Sequence, residues 1–197
     1  MKVSLRIVAA DDEPEMRAYF KETLEELGHR VVGLAANGEE LITQSRKERP
    51  DLVIADIKMP GTNGIDAARE FCHELAVPVI LVSAYHDNEI MERAQVPTVM
   101  AYLVKPIKRE DLKAAIFLAM CRFAEFQSLK EEAADLKQAL EDRKIIERAK
   151  GILMKQAKLD EGDAFKRLQD LASNKNQKMI EIAKMIVTMR DAFKPKT

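Results

Sequence analysis

Five side chains with the chemistry to bind a metal and a phosphoryl group stand at the ends of apolar runs. Asp11 and Asp12 follow the run 5–10, Asp56 ends the run from 52, Ser83 ends the run from 79, and Lys105 follows 102–104. Short runs of branched apolar residues are typical of buried parallel strands. Because the carboxyl ends of parallel strands share one edge of a sheet, we expect these side chains to lie together.

The expected group contains three carboxylates, one hydroxyl and one ammonium. Neighbouring carboxylates repel one another and raise each other's pKa unless a cation joins them. A hard divalent ion held by oxygen ligands, most simply Mg²⁺, relieves that repulsion. A carboxylate beside such an ion can attack a phosphoryl group, while the ion, the lysine and the hydroxyl neutralise the phosphoryl oxygens. The set therefore predicts a site that accepts a phosphoryl group on its own aspartate.

Alternating strands and helices must position these groups. Strands are predicted at 3–10, 31–35, 52–56, 79–82 and 102–104, and helices at 14–27, 38–49, 65–75, 88–94 and from 108 onward. This alternation predicts a doubly wound parallel sheet. The sequence has no apolar run of about 18 residues, so no membrane-spanning helix is expected. Its start passes directly into a strand, so no signal peptide is expected and the predicted compartment is the cytoplasm.

Residues 1–122 resemble the receiver domain of two-component response regulators, a flavodoxin-like α/β fold with a five-stranded parallel sheet. The resemblance rests on Asp11, Asp12, Asp56, Ser83 and the pair Lys105–Pro106, which occur in this order. It implies that Asp56 is the phosphoacceptor. It also implies that Asp11, Asp12, Asp56 and the backbone carbonyl of Lys58 hold Mg²⁺, and that a sensor histidine kinase donates the phosphoryl group.

The same resemblance implies a switch. Ser83, Tyr102 and Lys105 would bind the phosphoryl group, and the Lys105–Pro106 peptide would be cis. From the sequence alone, without the resemblance, the favoured interpretation of Tyr102 is a half-buried strand aromatic that does not move. The surface expected to change is formed by the helix at 88–94, the strand at 102–104 and the helix after Lys108.

The last receiver helix is predicted to continue to about residue 157, because 110–157 contains no proline and only one glycine. Within it, apolar residues occupy a and d heptad positions: Phe126, Leu129, Ala133, Leu136 and Leu140. We interpret 123–142 as a coiled-coil linker that forms the seam of a homodimer. The alternative is a single surface helix packed on its own receiver.

Residues 143–197 form a basic segment, with 14 Lys and Arg against 7 Asp and Glu, a net charge of +7. The rest of the chain has 18 against 26, a net charge of −8. An acidic regulatory part joined to a basic part indicates a polyanion partner. The segment is predicted to be a small three-helix bundle, with a second helix at 163–172, a polar turn at 173–176, a third helix ending near 193, and Phe165 in its core.

The stretch 146–154, Ile-Glu-Arg-Ala-Lys-Gly-Ile-Leu-Met, together with Ala164–Phe165, Ala172, Asn176 and Ile182–Ala183, resembles the ANTAR domain. This resemblance implies that a dimer binds paired RNA hairpins in leader transcripts and so prevents transcription termination. The residues that we expect to contact RNA are Arg143, Lys144, Arg148, Lys150 and Lys155 on the first helix, and Asn174, Lys175, Asn176 and Lys178 at the second turn. With Phe165 assigned to the core, no aromatic residue is left for base stacking.

Two other outputs are open at this point. A DNA-binding helix-turn-helix needs a polar recognition helix, and the third predicted helix is largely apolar. A protein-binding adaptor would not need a basic segment, so the charge of +7 argues against that output. A separate enzymatic domain is not expected, because the sequence has no Walker loop, Ser/His pair or zinc-ligand spacing. The only chemistry expected is acceptance of a phosphoryl group by the receiver and its loss by hydrolysis.

Overall fold

The structure is a computed structural model, and it describes residues 4–71, 74–84 and 96–192. The chain divides into two compact units, residues 1–127 and 128–197. The expected helix at 88–94 lies outside the described residues. Among the residues that are described, no helix is both long and apolar enough to cross a bilayer.

The first unit contains a five-stranded parallel sheet. Its strands are β1 (Arg6–Ala10), β2 (Arg30–Ala35), β3 (Leu52–Asp56), β4 (Val79–Ser83) and β5 (Val99–Val104), in the spatial order β2-β1-β3-β4-β5. β3 is buried along its whole length, which explains why its sequence is a continuous apolar run. The predicted receiver fold is confirmed.

Three helices follow the first three strands: α1 (Pro14–Glu26), α2 (Gly38–Glu48) and α3 (Gly64–Phe71). Local chemistry sets their ends. Pro14 starts α1, where its missing N–H costs nothing. Gly28 follows α1 with φ +86°, a conformation that glycine adopts without steric cost. The Asn37 side chain caps α2 by accepting a hydrogen bond from the Glu40 N–H at 2.9 Å.

The sheet separates two apolar cores, because successive strand side chains point to opposite faces. Val8 and Val53 pack with Phe71 on the side of α2 and α3. Ile7 packs with Phe20 of α1 on the other side, together with the N-terminal part of a long helix, α4 (Arg109–Ala157). The sheet is therefore covered on both faces, and its carboxyl-end edge is left for chemistry.

The second unit contains the C-terminal part of α4, α5 (Glu161–Lys175) and α6 (Met179–Ala192). Its small core is formed by Ala149, Leu168, Ala172, Ile182 and Ala183. The Asp160 side chain caps α5 by accepting a hydrogen bond from the Asp163 N–H at 2.8 Å. The three-helix bundle is thus present, in the predicted order.

Two details of the second unit differ from the prediction. The expected polar turn at 173–176 is wrong: residues 173–175 continue α5, and Asn176 closes it in the left-handed conformation with φ +50°. Phe165 was assigned to the core, yet 45% of its surface is exposed. It follows Ala164, a fully buried residue, and a step of about 100° around a helix turns it away from the core.

Candidate functional site

The carboxyl-end edge of the sheet gathers three carboxylates and one ammonium. The Lys105 Nζ atom lies 2.9 Å from Asp11 Oδ2 and 3.1 Å from Asp56 Oδ2. One carboxylate oxygen each from Asp11, Asp12 and Asp56 lies within 4.8 Å of the others. The structure therefore brings these four predicted side chains together at the ends of β1, β3 and β5, while their roles stay predictions.

The turn after β1 is fixed by backbone and side-chain hydrogen bonds. The Asp11 N–H donates to the Ala35 carbonyl at 3.1 Å, and Asp11 Oδ1 accepts from the Glu13 N–H at 3.0 Å. Arg17 reaches back from α1 and donates to the carbonyls of Asp11 and Asp12 at 2.7 and 2.9 Å. These bonds hold the two carboxylates at the edge of the sheet before any ligand arrives.

Asp56 is buried at the end of β3. Burial is the largest cause of its raised pKa, and the negative charge of Asp11 raises it further. Hydrogen bonds from the Lys105 ammonium and from the Lys58 backbone act in the opposite direction. Gly64 approaches the same strand end so closely that a Cβ there would overlap the Asp56 carbonyl oxygen. A glycine is therefore required beside the expected phosphoacceptor.

Lys105 completes the cluster from β5. Its backbone N–H donates to the Ser83 carbonyl at 2.9 Å, and the peptide to Pro106 is cis, as expected. Burial alone would lower the pKa of Lys105, but hydrogen bonds and charge from Asp11 and Asp56 raise it above the usual value. The ammonium is therefore a fixed positive charge at this edge.

The expected switch residues lie near the cluster on β4 and β5. Ser83 is buried, and its hydroxyl donates to the neighbouring Ala84 carbonyl at 3.3 Å. Tyr102 is half-buried and packs against the core on the side of α2 and α3, and burial raises its pKa. The Lys58 side chain is exposed, and its backbone lies beside Asp56. The structure places Ser83 and Tyr102 on neighbouring strands beside the cluster, and their role as a switch stays a prediction.

The donor set fits a hard divalent cation. Asp11, Asp12 and Asp56 place three carboxylates around the Lys105 ammonium, and Glu13 Oε1 lies 3.5 Å from the same Nζ atom, so acidic groups outnumber the cation. The oxygens of this cluster are carboxylate oxygens, to which the resemblance to receivers adds the Lys58 carbonyl, and Mg²⁺ prefers oxygen ligands. Asp11, Asp12, Asp56 and the Lys58 carbonyl are the groups that would hold it.

Two supporting side chains were missed by sequence reasoning. Arg17 was overlooked because a solvated helix surface explains an arginine equally well. The Tyr19 hydroxyl donates to the Ile107 carbonyl at 2.9 Å, so α1 fixes the loop that follows Lys105. Both residues donate from a side chain to a backbone carbonyl, and Ile107 is distant in sequence from Tyr19. Residue spacing alone does not indicate such contacts.

The expected RNA-contacting residues of the second unit fall into two groups. Most are exposed to solvent: Arg143, Lys144, Lys155, Asn174, Lys175, Asn176 and Lys178. The other two are engaged within the bundle. Arg148 forms an ion pair with Asp191, in which one guanidinium nitrogen, Nη2, lies 2.9 Å from both carboxylate oxygens.

Lys150 is the second engaged residue. Its side chain is only 10% exposed, and its Nζ atom lies 2.7 Å from Glu147 Oε2 and 2.8 Å from Glu161 Oε1. Hydrogen bonds to these two carboxylates raise the pKa of Lys150. This lysine therefore ties α4 to α5, which does not favour its predicted contact with RNA phosphates.

Comparisons with known proteins agree with both units. The family model described as response regulator receiver domain matches residues 7–117, and the ANTAR domain model matches residues 134–187. The transcriptional regulatory protein PdtaR of Mycobacterium tuberculosis is 40% identical over 185 residues, which cover 94% of this chain and 90% of that protein. The positive alginate biosynthesis regulatory protein of Pseudomonas aeruginosa is 38% identical over 114 residues, 57% of this chain and 46% of that protein.

Solved structures resemble the first unit. The signal receiver domain of a modulated diguanylate cyclase from Desulfovibrio desulfuricans G20 has a TM-score of 0.57 at 27% identity, covering 61% of this chain and 96% of that one. A response regulator receiver domain protein from Clostridium thermocellum has a TM-score of 0.55 at 30% identity, covering 59% and 94%. The chain belongs to the response regulators and combines a receiver domain with an ANTAR domain.

Proposed function

We propose that this response regulator accepts a phosphoryl group on Asp56 and, in that state, binds hairpin leader RNA as a transcription antiterminator. One observation carries the proposal: the carboxylate and lysine cluster of a receiver and a basic ANTAR unit share one chain and one helix, α4. The cytoplasm is the compartment that this function requires, because leader transcripts are made there.

The phosphoryl transfer uses groups that are already in place. An Asp56 oxygen attacks the phosphorus of a phosphohistidine on a sensor kinase, so an O–P bond forms as the N–P bond breaks. Bound Mg²⁺ would neutralise the phosphoryl oxygens. The Lys105 ammonium, 3.1 Å from Asp56, would offset the same charge, and the nearby Ser83 hydroxyl would donate a hydrogen bond to a phosphoryl oxygen. Hydrolysis of the acyl phosphate resets the site, and no separate catalytic domain takes part.

The signal would pass through β5 into α4. Ser83 is joined to Lys105 by a backbone hydrogen bond of 2.9 Å, so a hydroxyl that turns toward a phosphoryl group disturbs both strands. Tyr102 lies on β5 and would turn inward as Ser83 moves. α4 starts four residues after Lys105 and continues without a break into the second unit. These contacts support a path from Asp56 to the ANTAR unit.

A second copy of the chain is the partner that would cover the exposed leucine stripe of α4. Leu129, Leu136 and Leu140 are 59%, 65% and 55% exposed, and every residue from 128 to 141 is exposed in the single chain. A solvated helix of this length gains little stability alone, and a coiled-coil seam would bury the stripe. Leu136→Lys should therefore shift sedimentation from dimer to monomer without unfolding either unit; an unchanged dimer would place the seam elsewhere.

RNA is the nucleic acid that the second unit suits best. A major-groove reader needs several base-reading side chains on one helix. The exposed side chains among the described positions of α6 are Glu181, Lys184, Thr188, Met189 and Asp191. Two of these five are acidic, which disfavours a helix laid against DNA phosphates.

The test is a competition gel shift with the full chain. The probes are a pool of two-hairpin RNAs with randomised loops and a DNA duplex of equal length, each titrated at several salt concentrations. The proposal expects hairpin RNA to bind at least tenfold more tightly than the duplex. Tighter binding of the DNA duplex than of hairpin RNA would favour a DNA-binding output. Binding of neither nucleic acid, together with salt-independent binding of a protein partner, would favour an adaptor.

A further inference from the structure

Phe165 is the only aromatic residue between positions 143 and 192, and it faces solvent. It lies on α5 beside Ala164, which is fully buried, and three residues before Leu168, which is also buried. Among the described residues of the bundle, the apolar side chains that pack on the small core do not include Phe165. Phe165 is therefore outside the small core, and 45% of its surface is open to solvent.

A lone exposed apolar side chain is ordinary on a protein surface. The surroundings distinguish Phe165, because it stands on a segment with a net charge of +7. Lys166 and Arg167 follow it and are exposed. The nearest acidic neighbour one helical turn earlier is Glu161, and its carboxylate is paired with Lys150 at 2.8 Å. Two exposed cations therefore stand beside the ring, on a helix whose three basic residues equal its three acidic ones.

Hairpin loops differ from duplex RNA in that they offer unstacked bases. Proteins hold such bases against aromatic rings or arginine planes, because every base has a π face. Of the arginines in the second unit, Arg148 is already held by two hydrogen bonds to Asp191. Phe165 is the one aromatic ring that residues 143–192 can offer to a base.

We propose that Phe165 stacks on an unpaired base of the bound RNA loop, while Lys166 and Arg167 contact the neighbouring phosphates. The ring would then make the ANTAR unit prefer loops over duplex RNA. This inference rests on the proposed RNA-binding function and adds the residue that recognises the loop.

The experiment uses the full chain, the pool of two-hairpin RNAs with randomised loops, and an RNA duplex of the same length without loops. Phe165→Ala should weaken hairpin binding roughly 5- to 150-fold, the range expected for one stacked base. Its salt dependence should not change, because no charge is removed. Met189→Ala is the matched control, since Met189 is an exposed apolar residue of the same unit, 62% exposed, and should bind as the wild type does.

Phe165→Trp gives a direct readout, because the chain contains no tryptophan. The indole should keep the affinity, and its fluorescence should change on addition of hairpin RNA but not of duplex RNA. Wild-type hairpin binding with an unaffected Phe165→Ala variant, or with silent Trp fluorescence, would overturn the inference and leave the proposed function intact. A Phe165→Ala variant that loses its dimer instead would place the ring in a protein contact and would also overturn it. Failure of the wild type to bind any RNA would overturn both.

Discussion

Lys105→Met removes the only ammonium found in the described part of the carboxylate cluster. The lysine joins Asp11, whose side chain is fully buried, to Asp56, whose side chain is 8% exposed. Loss of one partner of a buried ion pair costs about 3–5 kcal/mol, because the remaining charge stays buried without compensation. The Lys105 side chain is itself 20% exposed, so solvent reduces the effect. We expect the free energy of unfolding to fall by about 2–3 kcal/mol in a buffer with EDTA.

Mg²⁺ should reverse much of this loss. An ion that binds only the folded receiver stabilises it by an amount that grows with the logarithm of its affinity, and removal of a positive charge should strengthen Mg²⁺ binding. The difference between the variant and the wild type should therefore narrow in saturating Mg²⁺. Urea unfolding followed by tyrosine fluorescence isolates the receiver, because Tyr19, Tyr85 and Tyr102 all precede residue 128.

Lys21→Met is the matched control, because Lys21 is exposed on α1 and its removal should change stability by less than about 0.5 kcal/mol. Two results would refute the reasoning. If Lys105→Met lost no more stability than this control in EDTA, the ion pair would not hold the cluster together. If the loss were the same with and without Mg²⁺, the ion would not compensate for the missing ammonium.

Three further substitutions test other parts of the account. Gly64→Ala should destabilise the receiver by about 1–3 kcal/mol, because the new Cβ overlaps the Asp56 carbonyl; an unchanged urea midpoint would disprove the close approach. Asp160→Ala removes the cap of α5 and should cost the second unit about 1 kcal/mol by circular dichroism, whereas equal stability would mean that the cap is dispensable. Lys150→Met should lower the melting temperature of the second unit and leave the salt dependence of RNA affinity unchanged. A weaker salt dependence with normal stability would show instead that Lys150 contacts an RNA phosphate.

The receiver could be predicted from the sequence because each of its signals is local. Every strand is a short apolar run, and each functional group stands where a run ends. Parallel pairing then carries Asp56, Ser83 and Lys105 to the same edge. The fold and the strand ends needed no knowledge of side-chain contacts, whereas the cis peptide before Pro106 was implied only by the resemblance to receivers.

The second unit was less predictable because its details depend on helix rotation and on partners that are distant in sequence. Phe165 looked like core because it adjoins Ala164, yet one step around α5 exposes it. Lys150 stays a predicted phosphate contact, and the sequence did not signal that Glu161, eleven residues later, pairs with its ammonium. The composition of 173–176 is typical of a turn, although α5 ends only where Asn176 adopts a left-handed conformation.

The most direct test of the account couples the two units in one measurement. Binding of the two-hairpin RNA pool is measured with and without Mg²⁺ and a beryllofluoride phosphoryl mimic, for the wild type and for Asp56→Asn. The account predicts that the mimic with Mg²⁺ strengthens RNA binding by the wild type and has no effect on Asp56→Asn. RNA binding that is equally strong in all these conditions would contradict phosphorylation control, because the ANTAR unit would then act independently of Asp56.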